Sequence, residues 1–154
     1  MTATAPSTRR GATRRHYRDT PVDVKLALSA LWTAMLFVFA YVDIFGFLRA
    51  DVLEAALDGE VATTGFTVDQ TFLTLTLVYI LVPALMVVLS LMLRPRLNRL
   101  VNLVASIIYA VTIVASAVGE SWAYYIIGSV VEVLLLAAIA RLAWALPPPE
   151  TTTR

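Results

Sequence analysis

Two carboxylic acids occupy apolar surroundings in this 154-residue chain: Glu132 lies within IIGSVVEVLLLAAIA, and Asp43 within FVFAYVDIFGFL. Holding an ionised acid in hydrocarbon costs about 2.5–3.5 kcal/mol or more, so each must find a polar partner or carry a proton. Acids placed in this way pass protons or bind cations from alternate sides in coupled transporters. Tyr79 and Tyr109 add hydroxyl groups, Asn102 an amide and Arg99 a guanidinium. Residue inventory closes off other chemistries. Cysteine is absent and the sole histidine, His16, precedes every apolar segment, so no thiolate or histidine metal site and no serine–histidine arrangement can form among them. A glycine-rich phosphate loop is also missing. No metal, cofactor or nucleic-acid partner is expected. An intramembrane lipid-modifying enzyme would have to work with Asp43, Glu132 and tyrosines alone.

The elements that position these groups follow from composition. Hydrophobic residues make up 59% of the chain and charged residues 15%, with mean hydropathy +0.78, too apolar for an ordinary soluble domain of this length. Apolar runs cover residues 26–48, 72–93, 97–118 and 122–146. Crossing a hydrocarbon core takes roughly 20 helical residues, so each run is long enough to span a bilayer. Strands are excluded by run length and by the absence of strict alternation, and an open sheet edge has no place in lipid. The expected fold is all-α, a four-helix transmembrane bundle with up-down-up-down connectivity.

Lysine and arginine set the expected orientation. Arg9, Arg10, Arg14, Arg15, Arg18 and Lys25 precede the first span, Arg94, Arg96 and Arg99 cluster at the second turn, and Arg141 lies near the end of the fourth span. The loop over residues 49–71 carries Asp51, Glu54, Asp58, Glu60 and Asp69 against Arg49, and the third connection holds Glu120. The positive-inside rule therefore places both termini in the cytoplasm of a multi-pass protein of the cell membrane. Residues 1–21 read as a disordered basic tail, residues 22–147 as the membrane domain, and residues 148–154 as a C-terminal tail. A signal peptide is a poorer reading of the N-terminus, since the first apolar run exceeds a normal h-region and no small-residue cleavage site follows.

Local signals refine the connections. From Asp51 to Asp58, Val52, Leu53, Ala56 and Leu57 fall on one helical face and the acids on the other, with Gly59 ready to end the turn. A short amphipathic helix is expected there, covering the mouth of the bundle. Arg94-Pro95-Arg96 breaks the chain between spans two and three, which should form an antiparallel hairpin. Pro83, inside span two, should bend that helix and free a carbonyl for a neighbour or water.

At 100° per residue the scattered polar residues fall on lines. On span three, Asn98, Asn102, Ser106, Tyr109, Ser116 and Glu120 lie within about 40° of one line, with Arg99 flanking. The matching lines are Tyr79, Pro83, Met86 and Ser90 on span two, Tyr125, Gly128, Glu132 and Ile139 on span four, and Ser29, Trp32, Leu36 and Asp43 on span one. Such faces should turn inward, where side-chain hydrogen bonds can form. Counting 1.5 Å per residue, Glu132, Tyr79 and Tyr109 lie about 15, 10 and 12 Å below the outer surface, and Asp43 about 7 Å. Glu132, Tyr109 and Tyr79 are therefore expected to share a layer, with Asp43 nearer the outer interface and Asn102 and Arg99 nearer the cytoplasm. Arg141 falls on the opposite face from Glu132, more than two turns away.

The order DVKLALSALW, YVDIFGFL, VPALMVVLSLML, RPRLNRLVN and SWAYYIIGSVVEVLLLAAIARLAWALP resembles an uncharacterised family of small bacterial four-helix integral membrane proteins, a domain of unknown function. That resemblance implies the fold and topology already expected, and assigns no activity. The leading expectation is thus a structural or accessory membrane protein in which Glu132 fixes helix register. Its alternative is a proton- or cation-coupled transporter of small molecules. Expected partners are the lipid bilayer, a second copy in a homodimer, and another membrane protein.

Overall fold

The computed structural model describes residues 21–62 and 64–146. Expectations for the basic tail, apart from its last residue, and for the C-terminal tail lie outside the described residues. The chain forms α1 (Val24–Gly46), α2 (Ala50–Leu57), α3 (Gln70–Met92), α4 (Pro95–Ser116) and α5 (Ala123–Trp144). All but α2 are long and apolar enough to cross a membrane, and a single isolated β-bridge, Glu60 with Thr67, interrupts the all-helical pattern among the described residues.

Polar caps, not the onset of hydropathy, decide where the helices begin. Asp23 accepts the Lys25 amide at 2.8 Å and Asp69 accepts the Phe72 amide at 2.7 Å, satisfying orphan donors of the first turn. Pro95 opens α4, where its missing N–H and fixed φ cost nothing. These helices accordingly start two residues before the apolar runs at 26, 72 and 97. Helix α2 ends in a Schellman motif. The Glu60 amide bonds Ala55 O at 2.8 Å and the Gly59 amide bonds Ala56 O at 3.2 Å, with Gly59 at φ 75°, a conformation glycine adopts without a Cβ penalty.

Neighbouring long helices run antiparallel. Lys25, in the first turn of α1, donates to Leu93 O and Leu91 O at the end of α3. Tyr79 in the first half of α3 meets Thr112 in the second half of α4, and Val42 near the end of α1 meets Gly128 near the start of α5. The packed pairs are α1 with α3, α3 with α4, α4 with α5 and α5 with α1, which closes a four-membered ring. One end of the bundle gathers Lys25, Arg94, Arg96, Arg99 and Arg141, and the other gathers the acids of the α1–α3 loop with Glu120.

Packing is uneven along the bundle axis. Every buried residue of α1 falls between Leu28 and Met35, and every one of α3 between Pro83 and Ser90. Both stretches belong to the basic half, where they meet Tyr109, Leu136, Ile139 and Ala143 in one core. Toward the acidic end α1 and α3 lose their cover, with Asp43 and residues 73–78 exposed along with Thr112 and Ser116 of α4, while Ile113, Gly128 and Ser129 stay buried. Helix α2 contradicts its expected role as a cover. None of its residues is buried, and Leu53 and Leu57 remain 49% and 82% exposed. The amphipathic pattern made a helix, but its apolar face does not rest on the bundle.

Candidate functional site

The most completely bonded polar group in the bundle centres on Asn102. Its Oδ1 accepts the Trp32 indole N–H at 2.7 Å and the Ser90 hydroxyl at 3.1 Å. Its amide donates to Asn98 O and Asn98 Oδ1, at 2.9 and 2.7 Å, and Asn98 in turn donates to Ser90 O at 2.9 Å. Side chains of α1, α3 and α4 are thereby tied at one level. Trp32, Ser90, Asn98 and Asn102 are all 0% exposed, so each bond replaces water that is absent there. Ser90 O, Leu91 O and Leu93 O belong to the last turn of α3, whose carbonyls lack intrahelical partners. Asn98 and the Lys25 ammonium supply them, the latter also complementing the negative end of the helix dipole.

A second arrangement grows from Pro83. Proline has no N–H to give to the residue four positions earlier, so the Tyr79 carbonyl is released from the helical ladder. The Tyr109 hydroxyl donates to that carbonyl. Tyr109 and Tyr79 stack with ring centroids 4.6 Å apart, Tyr109 packs edge-on against Trp32 at 6.2 Å, and the Tyr79 hydroxyl pairs with Thr112 at 2.6 Å. Met35, Leu36, Phe39, Ile80 and Pro83 complete an apolar crevice beside the two tyrosines that has no room for a water molecule.

Glu132 stands apart from both arrangements. It is 3% exposed, and its Oε1 has no hydrogen-bond partner among the described residues. It makes no bond to Tyr109 or Tyr79, the residues expected to share its layer, because the Tyr79 carbonyl engages the Tyr109 hydroxyl and Thr112 engages that of Tyr79. One turn nearer the acidic end, Gly128 packs directly on α1: a Cβ there would lie 2.3 Å from Val42 Cγ2. Asp43 follows Val42 on α1 and keeps an exposed side chain. Arg99 is not part of the polar layer. It is half-buried, turned sideways, and its guanidinium sits 4.5 Å from the Trp144 ring centroid, a cation–π contact at the basic end.

Arg49 links the connections at the acidic end. Its guanidinium bonds Asp51 through two nitrogens at 3.1 and 2.6 Å and Glu120 at 2.9 Å, and lies 4.8 Å from the Trp122 ring centroid. The Asp51 bond, followed by those to Glu120 and Tyr124, raises the guanidinium above its ordinary value against the lowering effect of its own burial. Asp51 is held below the usual carboxylate range by its bond to Arg49. Burial pushes Glu120 up, yet its bonds to Arg49 and to the Trp122 and Ser121 amides outweigh this and leave it below its ordinary value. Groups lowered by folding contribute stability that is present above the unfolded carboxylate pKa of about 4 and lost as pH falls through the folded values. Amide hydrogen exchange in α2 is therefore expected to accelerate below about pH 4. Arg49→Ala should produce the same acceleration at neutral pH and remove the acid dependence, which exchange measured across pH checks directly.

Sequence reasoning put Trp32, Ser90, Asn98 and Asn102 on inward lines without joining them into one network. The available signal was chemical: a tryptophan N–H in an apolar span needs an acceptor, and Asn102 is the nearest amide on a facing line. Lys25 enters the sequence pattern only as charge, although a lysine in the first turn of one helix can reach the carbonyl end of its antiparallel neighbour. Residues 20–146 match the family described as Family of unknown function (DUF6326). No curated protein and no solved structure matches the chain.

Proposed function

We propose, for a chain that belongs to this family of unknown function, a structural or accessory role in the membrane, with the Asn102 network holding a fixed bundle for a membrane partner or a second copy to recognise. The observation that supports this reading is closure of the basic half: Trp32, Ser90, Asn98 and Asn102 are wholly buried and bonded to one another across α1, α3 and α4. An interlocked layer of this kind resists the helix movements that alternating access requires. The arginine bias favours cytoplasmic termini and insertion in the cell membrane.

A coupled transporter of protons or other cations is the second reading, favoured by the unpartnered Glu132 Oε1. Reconstituted protein separates the two. Under an imposed pH gradient, proteoliposomes carrying the wild-type chain are expected to relax at the rate of protein-free vesicles, and Glu132→Gln to change nothing. Wild-type flux that Glu132→Gln abolishes would overturn the accessory reading.

A further inference from the structure

We propose that Asp43 and Glu132 form a binding site for one small cation, a proton or an alkali-metal ion, in the seam between α1 and α5 near the acidic end of the bundle. Three features converge there. Glu132 is only 3% exposed, and one carboxylate oxygen lacks any partner among the described residues. A buried acid in that state is completed by a positive charge. Next, the contact of Gly128 with Val42 fixes the register of the two helices. Asp43 lies one residue beyond Val42 toward the acidic end, and Glu132 one turn beyond Gly128 toward the basic end, so the acids differ in depth by about 7.5 Å.

The third feature is direction. A Cα–Cβ bond leans toward the N-terminus of its own helix. For Glu132 on α5 this is toward the acidic end, and for Asp43 on the antiparallel α1 it is away from that end, so the side chains lean toward one another. The ionisable groups around the seam are Asp43 from α1, Tyr79 from α3, Tyr109 from α4, and Glu132 and Tyr125 from α5; among the described residues no basic side chain joins them. Arg49 is engaged by Asp51 and Glu120, and Arg141 lies two turns away with its side chain exposed.

Size and charge select the ligand. Divalent hard cations take six or more oxygen ligands, several of them charged, whereas among the described residues no cluster of three acidic, histidine or cysteine side chains exists. One positive charge shared by two carboxyls fits the inventory better. Asp43 is exposed and stands at the end where acidic residues outnumber Arg49 and attract counter-ions. The inference goes beyond the accessory reading and does not depend on it, because binding is read without flux.

Full-length protein in zwitterionic nanodiscs tests both sources of charge. In the alkali-metal arm, the thermal midpoint is followed while NaCl, KCl or LiCl replaces N-methylglucamine chloride at constant ionic strength. In the proton arm, the infrared carbonyl band of a protonated carboxylic acid is titrated without alkali cations. A midpoint rising with one alkali cation, a protonated-acid band near neutral pH, or both, is expected. Asp43→Asn should weaken the apparent affinity about tenfold, and Glu132→Gln should remove the responses. If Glu132→Gln fails to fold, Glu132→Asp and Asp43→Asn should both shift the titration midpoints. The proposal is overturned if wild-type protein responds to neither cation nor pH, or if the responses persist unchanged in the foldable variants.

Discussion

Replacing Asn102 with leucine is expected to destabilise the bundle by about 2–4 kcal/mol, the sum of losing several buried bonds and stranding their partners. Single interhelical hydrogen bonds in membranes average about 0.6 kcal/mol, so one contact would not produce this effect. Asn102 differs because it accepts from Trp32 and Ser90 and donates twice to Asn98. Leucine leaves the indole N–H, the serine hydroxyl and the Asn98 oxygen facing an apolar side chain at positions without exposure to water. Trp32→Phe, which removes one donor and leaves Asn102 bonded to Ser90, should cost only about 1 kcal/mol from hydrogen bonding. Denaturant titration in micelles measures both; equal effects of the two variants would show that the network does not act through Asn102.

Gly128→Ala carries the second large effect, through the α1–α5 seam. The new methyl would meet Val42 Cγ2 at 2.3 Å, well inside van der Waals contact, so either Val42 changes rotamer or the helices separate. Overpacking of this kind typically costs about 1–3 kcal/mol. Val42→Ala removes the opposing methyl groups, so the double variant should recover most of the loss, giving a favourable coupling of about 1 kcal/mol or more in a double-mutant cycle. Destabilisation by Gly128→Ala that Val42→Ala does not relieve would place the cause in helix α5 itself. Separation of the seam would also move Asp43 away from Glu132, so this variant is expected to weaken any cation response together with stability.

The extent to which these sites were legible differs from residue to residue. Periodicity correctly turned Trp32, Ser90, Asn102, Tyr109 and Glu132 inward, since a helical angle is carried by the chain itself. Pro83 correctly announced a free carbonyl. Missing was the acceptor relation: Tyr109 could serve Glu132 or the Tyr79 carbonyl from nearly the same depth, and it serves the carbonyl. Choosing between them requires the height of α4 relative to α3 to within a fraction of a turn. Helix α2 shows the same gap differently. Its amphipathic spacing produced the helix, but the short connection from α1 and the Arg49 bonds to Asp51 and Glu120 hold it where Leu57 remains exposed.

Four spans, their antiparallel hairpin at Pro95 and the opposite charge of the two ends follow from properties local to the chain. Run length, the missing proline N–H and side-chain charge act on each segment before any helix meets another. Pairings among the inward groups arise only on assembly. The Gly128–Val42 contact fixes how close and at what register α1 meets α5, and the Tyr79 carbonyl that Pro83 releases is taken up by Tyr109 of α4. Together with the hydrogen-bonded Asn102 layer, these contacts leave Glu132 buried with an oxygen unpaired, because hydrogen bonds demand ångström-scale agreement between helices that a one-dimensional pattern does not encode.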